Sequence, residues 1–389
     1  MTLGERKTPG RRTVLGAAVL GSAVAALPAT AAVAAPAPTV ALGGGGHGST
    51  RPALPVPTIV GHRGTAGYRP EHTLGSYELA LEMGAHVIEQ DLVPTKDGHL
   101  VCRHEPDITA TTDVADHPEF AARRTTKSID GVSTTGWFTE DFTLAEIKTL
   151  RAKERIPANR QRNTLYDGHW QVPTYEEVLR WADDEGRRRG KPIWLYTETK
   201  HPTYFRSIGL GLEERFAKLL RRYGRDHKDA PIFLQSFEPS SMQRMAHLVS
   251  APRVVLLDAA NTTPWDFKVA GDTRTVADLV KPAGLKWMAS FAQGIGPTLD
   301  LIIPKDASGK LTKPTTLVRD AHAQGLILHP YTMRNENTFL PADFQRGTDP
   351  NAYGDAFGAF KVYFETGIDG IFTDNADTGL LARADFVSR

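Results

Sequence analysis

Short apolar stretches and amphipathic segments alternate along the chain from Thr58 onward. The short stretches are rich in β-branched and aromatic residues, which predicts strands, and the segments between them carry apolar residues at helical spacing. The predicted strands are Thr58–His62, His86–Leu92, Leu100–His104, Ile193–Glu198, Ile232–Phe237, Arg253–Asp258, Leu326–Tyr331 and Ile368–Asp374. The predicted helices are Leu74–Met83, Tyr175–Arg189, Leu212–Tyr223, Pro239–Leu248, Thr315–Gln324 and Asp355–Thr366.

Eight strands separated by helices favour one α/β domain, a (β/α)₈ TIM barrel, in residues 58–389. A doubly wound open sheet is the alternative, but no G-x-G-x-x-G motif follows the first strand. Residues 105–170 and about 259–314 interrupt the alternation, and we interpret both as insertions over the C-terminal mouth of the barrel. Within the second insertion, Trp287–Phe291 is a candidate for one further strand.

The first 34 residues have the pattern of an export signal. Arg11 and Arg12 precede the uncharged, Ala- and Gly-rich stretch Val14–Ala26, and residues 32–34 are Ala-Val-Ala, as at a cleavage point. A twin arginine before such a stretch indicates the twin-arginine pathway, which exports folded proteins. The stretch is too short and interrupted for a stable membrane span. Residues 35–57 are interpreted as a Pro- and Gly-rich linker, and the protein is expected to be secreted or held in the cell envelope or periplasm.

Charge and cysteine content limit the partners. The 389 residues carry 46 Lys and Arg against 45 Asp and Glu, a formal net charge of +1. Removal of residues 1–34, whose net charge is +3, leaves about −2, so no global basic field is present to bind nucleic acid. The single cysteine, Cys102, excludes an intrachain disulfide and a cysteine-built metal cluster. A small-molecule substrate is the expected partner.

Polar residues lie near or just past the ends of the first five predicted strands, and the carboxyl ends of barrel strands form the rim where such enzymes hold their catalytic groups. They are His62, Arg63, Glu89, Asp91, His104, Glu198, Lys200 and Gln235. The three carboxylates form a hard oxygen site suited to Ca²⁺ or Mg²⁺. The two histidines can act as general base and acid, and Arg63 and Lys200 supply charge for phosphate oxygens. Each pair alone is more often structural, but together they indicate phosphodiester cleavage.

The motifs at these positions resemble those of the glycerophosphodiester phosphodiesterases in order and spacing. The matching segments are Gly61-His62-Arg63-Gly64, Arg69-Pro70-Glu71-His72-Thr73, Ile88-Glu89-Gln90-Asp91, Thr95-Lys96-Asp97-Gly98, His104, Glu198-Thr199-Lys200, Gln235-Ser236-Phe237 and Gly370-Ile371-Phe372-Thr373-Asp374. The form Pro70-Glu71-His72-Thr73 is similar to that of the periplasmic or secreted branch. That resemblance implies an insertion after the third strand and the use of Ca²⁺, with Mg²⁺ as the alternative.

The resemblance also implies a role for each candidate residue. His62 and His104 match the catalytic acid–base pair, Glu89, Asp91 and Glu198 the metal ligands, Arg63 and Lys200 the phosphate contacts, and Glu71 and Gln235 supporting residues. Family members release glycerol 3-phosphate and an alcohol from deacylated phospholipids such as glycerophosphocholine and glycerophosphoethanolamine. The expected course is attack of the glycerol 2-hydroxyl on phosphorus, then opening of the cyclic phosphate by water. Four aromatic residues are candidates to line an apolar or choline-accepting wall: Phe291, Tyr331, Trp170 and Trp287.

Other functions stay open at this point. An exolytic hydrolase of glycerol-phosphate teichoic acid would perform the same cleavage on a polymer. A phospholipase D-like or sphingomyelinase D-like barrel shares the histidines and carboxylates, but a single cysteine argues against a disulfide-dependent enzyme of that kind. A non-catalytic phosphodiester-binding protein would not need two histidines. A glycosidase would need neither the histidines nor the two cations.

Overall fold

A computed structural model of the protein describes residues 54–388. The predicted export signal, residues 1–34, and the predicted linker as far as residue 53 lie outside the described residues. Between residues 54 and 388, no helix combines the length and the apolar character needed to cross a membrane.

The strands form a nearly closed parallel barrel with additions. In chain order they are β1 (Thr58–Gly61), β2 (Val87–Pro94), β3 (Leu100–Cys102), β4 (Thr125–Ile129), β5 (Val132–Gly136), β6 (Trp194–Thr199), β7 (Ile232–Ser236), β8 (Arg253–Leu257), β9 (Gly294–Pro297), β10 (Ile327–Leu328) and β11 (Gly370–Thr373). The barrel order is β10-β9-β8-β7-β6-β2-β1-β11, with every pair parallel. Phe372 N donates to Pro330 O at 3.0 Å, which links β11 to the segment after β10 and confirms the predicted barrel.

Helices cover the outside of the barrel. They are α1 (Leu74–Met83), α2 (Leu144–Ile147), α3 (Tyr175–Arg189), α4 (Pro202–Ser207), α5 (Glu213–Arg222), α6 (Pro239–Leu248), α7 (Trp265–Ala270), α8 (Val276–Leu279), α9 (Pro282–Ala289), α10 (Leu299–Ile302), α11 (Leu317–His322), α12 (Ala356–Glu365) and α13 (Ala376–Val387). Local signals explain the predicted ones. For example, Thr174 and Glu177 form a capping box at the start of α3, and Gly190 ends it in the left-handed conformation. All six predicted helices are present.

Side chains alternate between two apolar layers along the barrel strands. In β1, Ile59 packs outward against the helices and Val60 packs inward. In β6, Leu195 packs outward and Tyr196 inward, where its ring lies 4.8 Å from that of Phe233. The inner layer fills the barrel with Val60, Val87, Trp194, Tyr196, Phe233, Val254, Ile327 and Phe372. Because the interior is packed, the polar chemistry is confined to the rim above it.

Three details of the predicted topology were wrong. Leu100–His104 is not a barrel strand, because β3 pairs antiparallel with the end of β2. The eighth barrel strand is instead β9, inside the stretch 259–314 that was interpreted as an insertion. Trp287–Phe291 is not a strand either, since α9 continues to Ala289.

The sequence of β9 explains why it was missed. It is only four residues long and contains two glycines, which weaken the strand pattern. Close packing requires both glycines: an added Cβ at Gly294 would lie 2.7 Å from the Ile327 side chain, and one at Gly296 would lie 2.5 Å from Leu256. Neighbouring strands, rather than local propensity, hold β9 in place.

Residues 105–170, the first predicted insertion, reach the mouth of the barrel. They contain the antiparallel hairpin β4–β5 and helix α2. Two arginines of this segment bond to residues that follow barrel strands: Arg155 to Glu71, and Arg160 to Asp374. The segment therefore contributes directly to the surroundings of the predicted site.

Candidate active site

The register of the barrel brings three predicted polar side chains into one row. Asp91 of β2 is paired with Glu198 of β6, and Glu198 is paired with Gln235 of β7. Glu89 precedes Asp91 by two residues and therefore faces the same side of β2. All four side chains are buried at the top of the barrel interior.

Crowding of the carboxylates fits a bound divalent cation. Burial, and next the charge of Asp91, raise the pKa of Glu89 well above its usual value. Burial also raises the pKa of Glu198 to about 8, in spite of the opposing charge of Lys200. Asp91 Oδ1 and Gln235 Oε1 are buried without a hydrogen-bond partner. Oxygen ligands with unmatched negative charge are what a hard cation such as Ca²⁺ or Mg²⁺ would satisfy.

His72 stands beside this group, although the sequence analysis gave it no role. Possible ligand atoms of His72, Glu89 and Asp91 lie within 4.8 Å of one another, so these three residues could hold a metal ion. However, His72 Nε2 is 2.7 Å from Asp91 Oδ2, and its Nδ1 is 3.0 Å from the Tyr77 hydroxyl. Because both ring nitrogens are engaged, the geometry favours His72 as the residue that orients Asp91.

His62 follows β1 and is oriented by Asp374, which follows the adjacent strand β11. His62 Nδ1 lies 2.5 Å from Asp374 Oδ1, and Arg63 Nε donates to His62 Nε2 at 3.3 Å. These bonds place the proton on Nδ1 and the lone pair on Nε2. Burial lowers the pKa of His62 to about 4, although Asp374 opposes the shift. His62 is therefore neutral at pH 7, as a general base must be.

Two arginines compensate the charge of Asp374. Its Oδ2 lies 2.6 Å from Arg160 Nη2 and 2.9 Å from Arg334 Nε. Burial alone would raise the pKa of Asp374, but these two charges hold it well below its usual range. The sequence analysis identified none of the three residues as part of the site. Asp374 lies in a segment that matched the family, whereas no sequence pattern marks Arg160 or Arg334.

His104 enters the site from a different kind of element. It lies in the loop after β3, which folds back along β2, and its side chain is 28% exposed. Its Nδ1 is 2.8 Å from Glu105 Oε1, and its Nε2 is 3.4 Å from Lys200 Nζ. Burial of the ring, followed by the charges of Arg63 and Lys200, lowers the pKa of His104 to about 3.

The two predicted phosphate contacts are anchored by carboxylates. Arg63 Nη1 bonds to Glu71 Oε2 at 2.7 Å, and Lys200 Nζ lies 3.2 Å from Glu198 Oε1. Arg63 and Gly64 have φ values of 54° and 91°, a turn that lets the Arg63 amide donate to Glu89 at 2.6 Å. Glu71 thus has the geometry expected of a supporting residue.

A central pocket of about 130 Å³ brings most of these groups together, but Lys200 and Glu71 do not line it. It is lined by His62, Arg63, Glu89, Asp91, His104, Glu198, Gln235, Phe237, Leu256, Tyr331, Thr332, Arg334 and Phe372. Of the aromatic residues predicted to form a wall, Tyr331 lines this pocket. The wall prediction was wrong for Trp287 and Phe291, whose rings pack against each other with Phe267 in the helical layer.

Comparisons with known proteins agree with this chemistry. The sequence model of the glycerophosphoryl diester phosphodiesterase family matches residues 62–378. The glycerophosphodiester phosphodiesterase GDPD6 of Arabidopsis thaliana is 37% identical, over 82% of this chain and 83% of its own length. A glycerophosphodiester phosphodiesterase of Haemophilus influenzae is 29% identical, over 83% of this chain and 88% of its own length.

Solved structures with low sequence identity share the fold. A Silicibacter pomeroyi protein that bears the same family name is 20% identical with a TM-score of 0.62, and the match covers 87% of this chain and 96% of that one. An Oleispira antarctica phosphodiesterase, solved in complex with the product sn-glycerol-3-phosphate, is 18% identical with a TM-score of 0.52. That match covers 85% of this chain and 97% of the other.

Proposed function

Because the chain belongs to the glycerophosphoryl diester phosphodiesterase family and is a glycerophosphodiester phosphodiesterase, we propose that it hydrolyses small diesters such as glycerophosphocholine and glycerophosphoethanolamine. The products are glycerol 3-phosphate and the free alcohol. One observation carries this proposal: two histidines with different partners line a pocket that also contains Arg63 and three buried carboxylates.

In the first step, His62 Nε2 takes the proton of the glycerol 2-hydroxyl. The resulting oxygen attacks phosphorus, the bond to the alcohol oxygen breaks, and His104 gives that oxygen a proton. Without substrate, Arg63 and Lys200 help lower the pKa of His104. A bound phosphodiester places negative charge between those cations, which favours the protonated form that His104 needs as the acid.

The second step opens the cyclic phosphate with the roles reversed. His104, now neutral, takes a proton from a water molecule, whose oxygen attacks phosphorus. The bond from phosphorus to the glycerol 2-oxygen breaks, and His62 returns its proton to that oxygen. Asp374 keeps the His62 ring in one orientation throughout and stabilises its protonated form. Arg63 and Lys200 bind phosphate oxygens in both steps.

Glu89, Asp91 and Glu198 would hold the metal ion, which we propose to be Ca²⁺, with Mg²⁺ as the alternative. Bound there, the ion would offset negative charge that develops on the phosphate oxygens. Support comes from the three buried carboxylates and from the two buried oxygens that lack partners in the described residues.

Release of glycerol 3-phosphate from glycerophosphocholine tests the function directly. The purified protein is assayed before chelation, after chelation, and after addition of Ca²⁺ or Mg²⁺ separately. We expect chelation to abolish release and Ca²⁺ to restore it. No release with either metal would contradict the proposed substrates, and release from a glycerol-phosphate teichoic acid chain alone would favour the polymer hydrolase.

We further propose that residues 1–34 export the folded enzyme by the twin-arginine pathway to the cell envelope, the periplasm or the medium. Arg11-Arg12 before an uncharged stretch supports this route. Replacement of both residues by lysine should retain the enzyme inside the cell, as measured by fractionation. Normal export of that variant would contradict the proposed pathway.

A further inference from the structure

A chain of charged hydrogen bonds runs from His104 to the tip of the β4–β5 hairpin. His104 Nδ1 lies 2.8 Å from Glu105 Oε1, and Glu105 Oε2 lies 3.0 Å from His201 Nε2. His201 Nδ1 in turn lies 2.6 Å from Asp130 Oδ2. The two oxygens of Glu105 thus face different histidines, and His201 links the proposed acid of the first step to the hairpin.

The surroundings of His201 require its ring to be a cation. Both ring nitrogens face carboxylate oxygens, which accept hydrogen bonds but do not donate them, so both nitrogens must carry protons. Only the imidazolium ion has two protonated nitrogens. Burial of the ring would lower the pKa of His201, but the hydrogen bonds to Asp130 and Glu105 raise it to about 9. At pH 7 His201 therefore carries a positive charge between two negative ones.

The carboxylate of Glu105 benefits from this second bond because it lies at the edge of the site. Its side chain is 47% exposed, and an exposed glutamate loses rotamer freedom when it keeps one geometry. His104 engages only one of the two carboxylate oxygens. His201 binds the other oxygen with a hydrogen bond between opposite charges, which is stronger than a neutral one. Bonds in two directions restrict the carboxylate more than one bond could.

An uncommon backbone conformation places His201 between the two carboxylates. Lys200 N donates to Leu92 O at 3.2 Å, just past the end of β6, and His201 follows with a φ of 45°. Few residues other than glycine adopt this left-handed conformation, and those that do are held there by the surrounding structure. The bonds of the His201 ring supply such support, while the preceding Lys200 is directed to the opposite side of His104.

The β4–β5 hairpin holds Asp130 in a fixed position. Asp130 and Gly131, with φ values of 50° and 80°, form the turn between the paired residues Ile129 and Val132. Asp-Gly is a preferred sequence for a two-residue turn with positive φ at both positions. The turn packs on Trp265 of α7, since an added Cβ at Gly131 would lie 2.8 Å from that ring. The tip of the hairpin is therefore held by a second element.

We propose that His201 is a positioning residue for the acid. Together with Asp130 it fixes Glu105, and Glu105 keeps the His104 ring in the orientation that presents Nε2 to the leaving alcohol. This proposal rests on the proposed function, because it concerns the acid of that reaction. With Nδ1 bonded to Glu105, Nε2 is the nitrogen that transfers the proton. The hairpin thereby contributes to catalysis, although residues 125–136 do not line the central pocket.

Two substrates with different leaving groups distinguish a positioning role from a structural one. The measurement is the single-turnover rate of alcohol release by the metal-loaded protein at saturating enzyme. His201→Asn suits the left-handed backbone, but its neutral amide is too short to bridge two carboxylates. We expect it to slow choline release from glycerophosphocholine about two- to fivefold, because that oxygen needs a proton from His104. With the p-nitrophenyl diester of glycerol 3-phosphate, whose alcohol leaves without a proton, the rate should change less than about 1.5-fold.

Further variants locate the effect along the chain of bonds. Asp130→Gly breaks it from the hairpin while Gly-Gly still suits the turn, and should slow choline release alone in the same way. In a Glu105→Gln background, His201→Asn should have no additional effect, because it acts through Glu105. His117→Asn is the matched control: this histidine of the segment 105–170 is also paired with two carboxylates but does not line the central pocket. Both rates should stay at the wild-type value, and circular dichroism checks that each variant is folded.

The results separate this proposal from the proposed function. If the metal-loaded wild-type protein releases alcohol from neither substrate, the proposed function fails. If it cleaves both, and His201→Asn leaves both rates unchanged or lowers both by the same factor, the hydrolase function stands and the positioning role is refuted. A further decrease in the Glu105→Gln background would refute an action through Glu105. If His201→Asn does not fold, Asp130→Gly decides the question by the same comparison of the two substrates.

Discussion

The two histidines of the site occupy opposite kinds of surroundings. His62 follows a barrel strand and is held by Asp374, whose charge is matched by two arginines. His104 lies in a loop after an antiparallel strand, is 28% exposed, and is held by the partly exposed Glu105. One histidine is thus fixed by the barrel itself, whereas the other is supported from the mouth.

This difference matches the two proposed roles. A base must keep its lone pair aimed at one hydroxyl, and the rigid Asp374–His62 pair provides that orientation. An acid must collect a proton when substrate is bound and lose it with the alcohol, so access to solvent is useful to His104. The comparison therefore predicts unequal responses to mutation on the two sides.

Replacement of either histidine should have the largest effect. We expect His62→Ala and His104→Ala each to lower kcat for glycerophosphocholine by about 100- to 10,000-fold, because each removes a proton-transfer group. The two variants should differ with a p-nitrophenyl diester, whose leaving group needs no proton. With that substrate, the decrease in kcat caused by His104→Ala should become smaller, whereas the decrease caused by His62→Ala should be unchanged. Equal rescue of both variants would contradict the assigned roles.

Asp374→Asn should have the next largest effect. We expect kcat to fall about 100-fold, because the His62 ring loses both its orientation and the charge that stabilises its protonated form. The buried Arg160 pairs with both Asp374 and Glu336, so the change removes one of its two carboxylate partners and leaves the other. Loss of a buried partner charge costs about 3 kcal/mol or more in the free energy of unfolding. Urea denaturation and steady-state kinetics measure the two effects separately, and wild-type values in both would contradict the role of Asp374.

The parts of the fold that were predictable are those with local signals. Helix α1 has the predicted bounds because Thr73 caps its start and Gly84 ends it in the left-handed conformation. Strand β9 escaped prediction because its two glycines fit the space left by neighbouring strands, and that space is a tertiary property. The position of Trp287 is also a tertiary property, because an aromatic residue in the sequence does not show whether it packs among the helices or lines the pocket.

The residues of the site also divide into those that the sequence could predict and those that it could not. His62, Glu89 and Glu198 could be located because strand ends converge in any parallel barrel. Arg160 could not, because it reaches Asp374 through the fold of the segment 105–170, which has no periodic pattern. The supports of the base were thus less predictable than the base itself.

Arg334→Gln should move the pH profile rather than abolish activity. Arg334 is among the charges that lower the pKa of His62, so its removal raises that pKa above about 4. A base acts when unprotonated, and the acid limb of kcat/KM should therefore shift to higher pH, by about half a unit to one unit. Glu365→Gln, a change on the outer helix α12, is the control and should leave the limb in place. A shift to lower pH would contradict the charge assignment.

Glu105→Gln, on the His104 side of the site, should have the smallest effect. It should shift the pH profile in the direction opposite to that of Arg334→Gln. The hydrogen bond that His104 Nδ1 donates to the Glu105 carboxylate raises the pKa of His104, so Glu105→Gln lowers that pKa. An acid acts when protonated, and the alkaline limb of kcat should therefore move to lower pH. Glu105 is partly exposed and solvent screens its charge, so we expect kcat at pH 7 to fall only about two- to fivefold. If Glu105→Gln moved the acid limb instead, the roles of the two histidines would have to be exchanged, because only the base limits the rate at low pH.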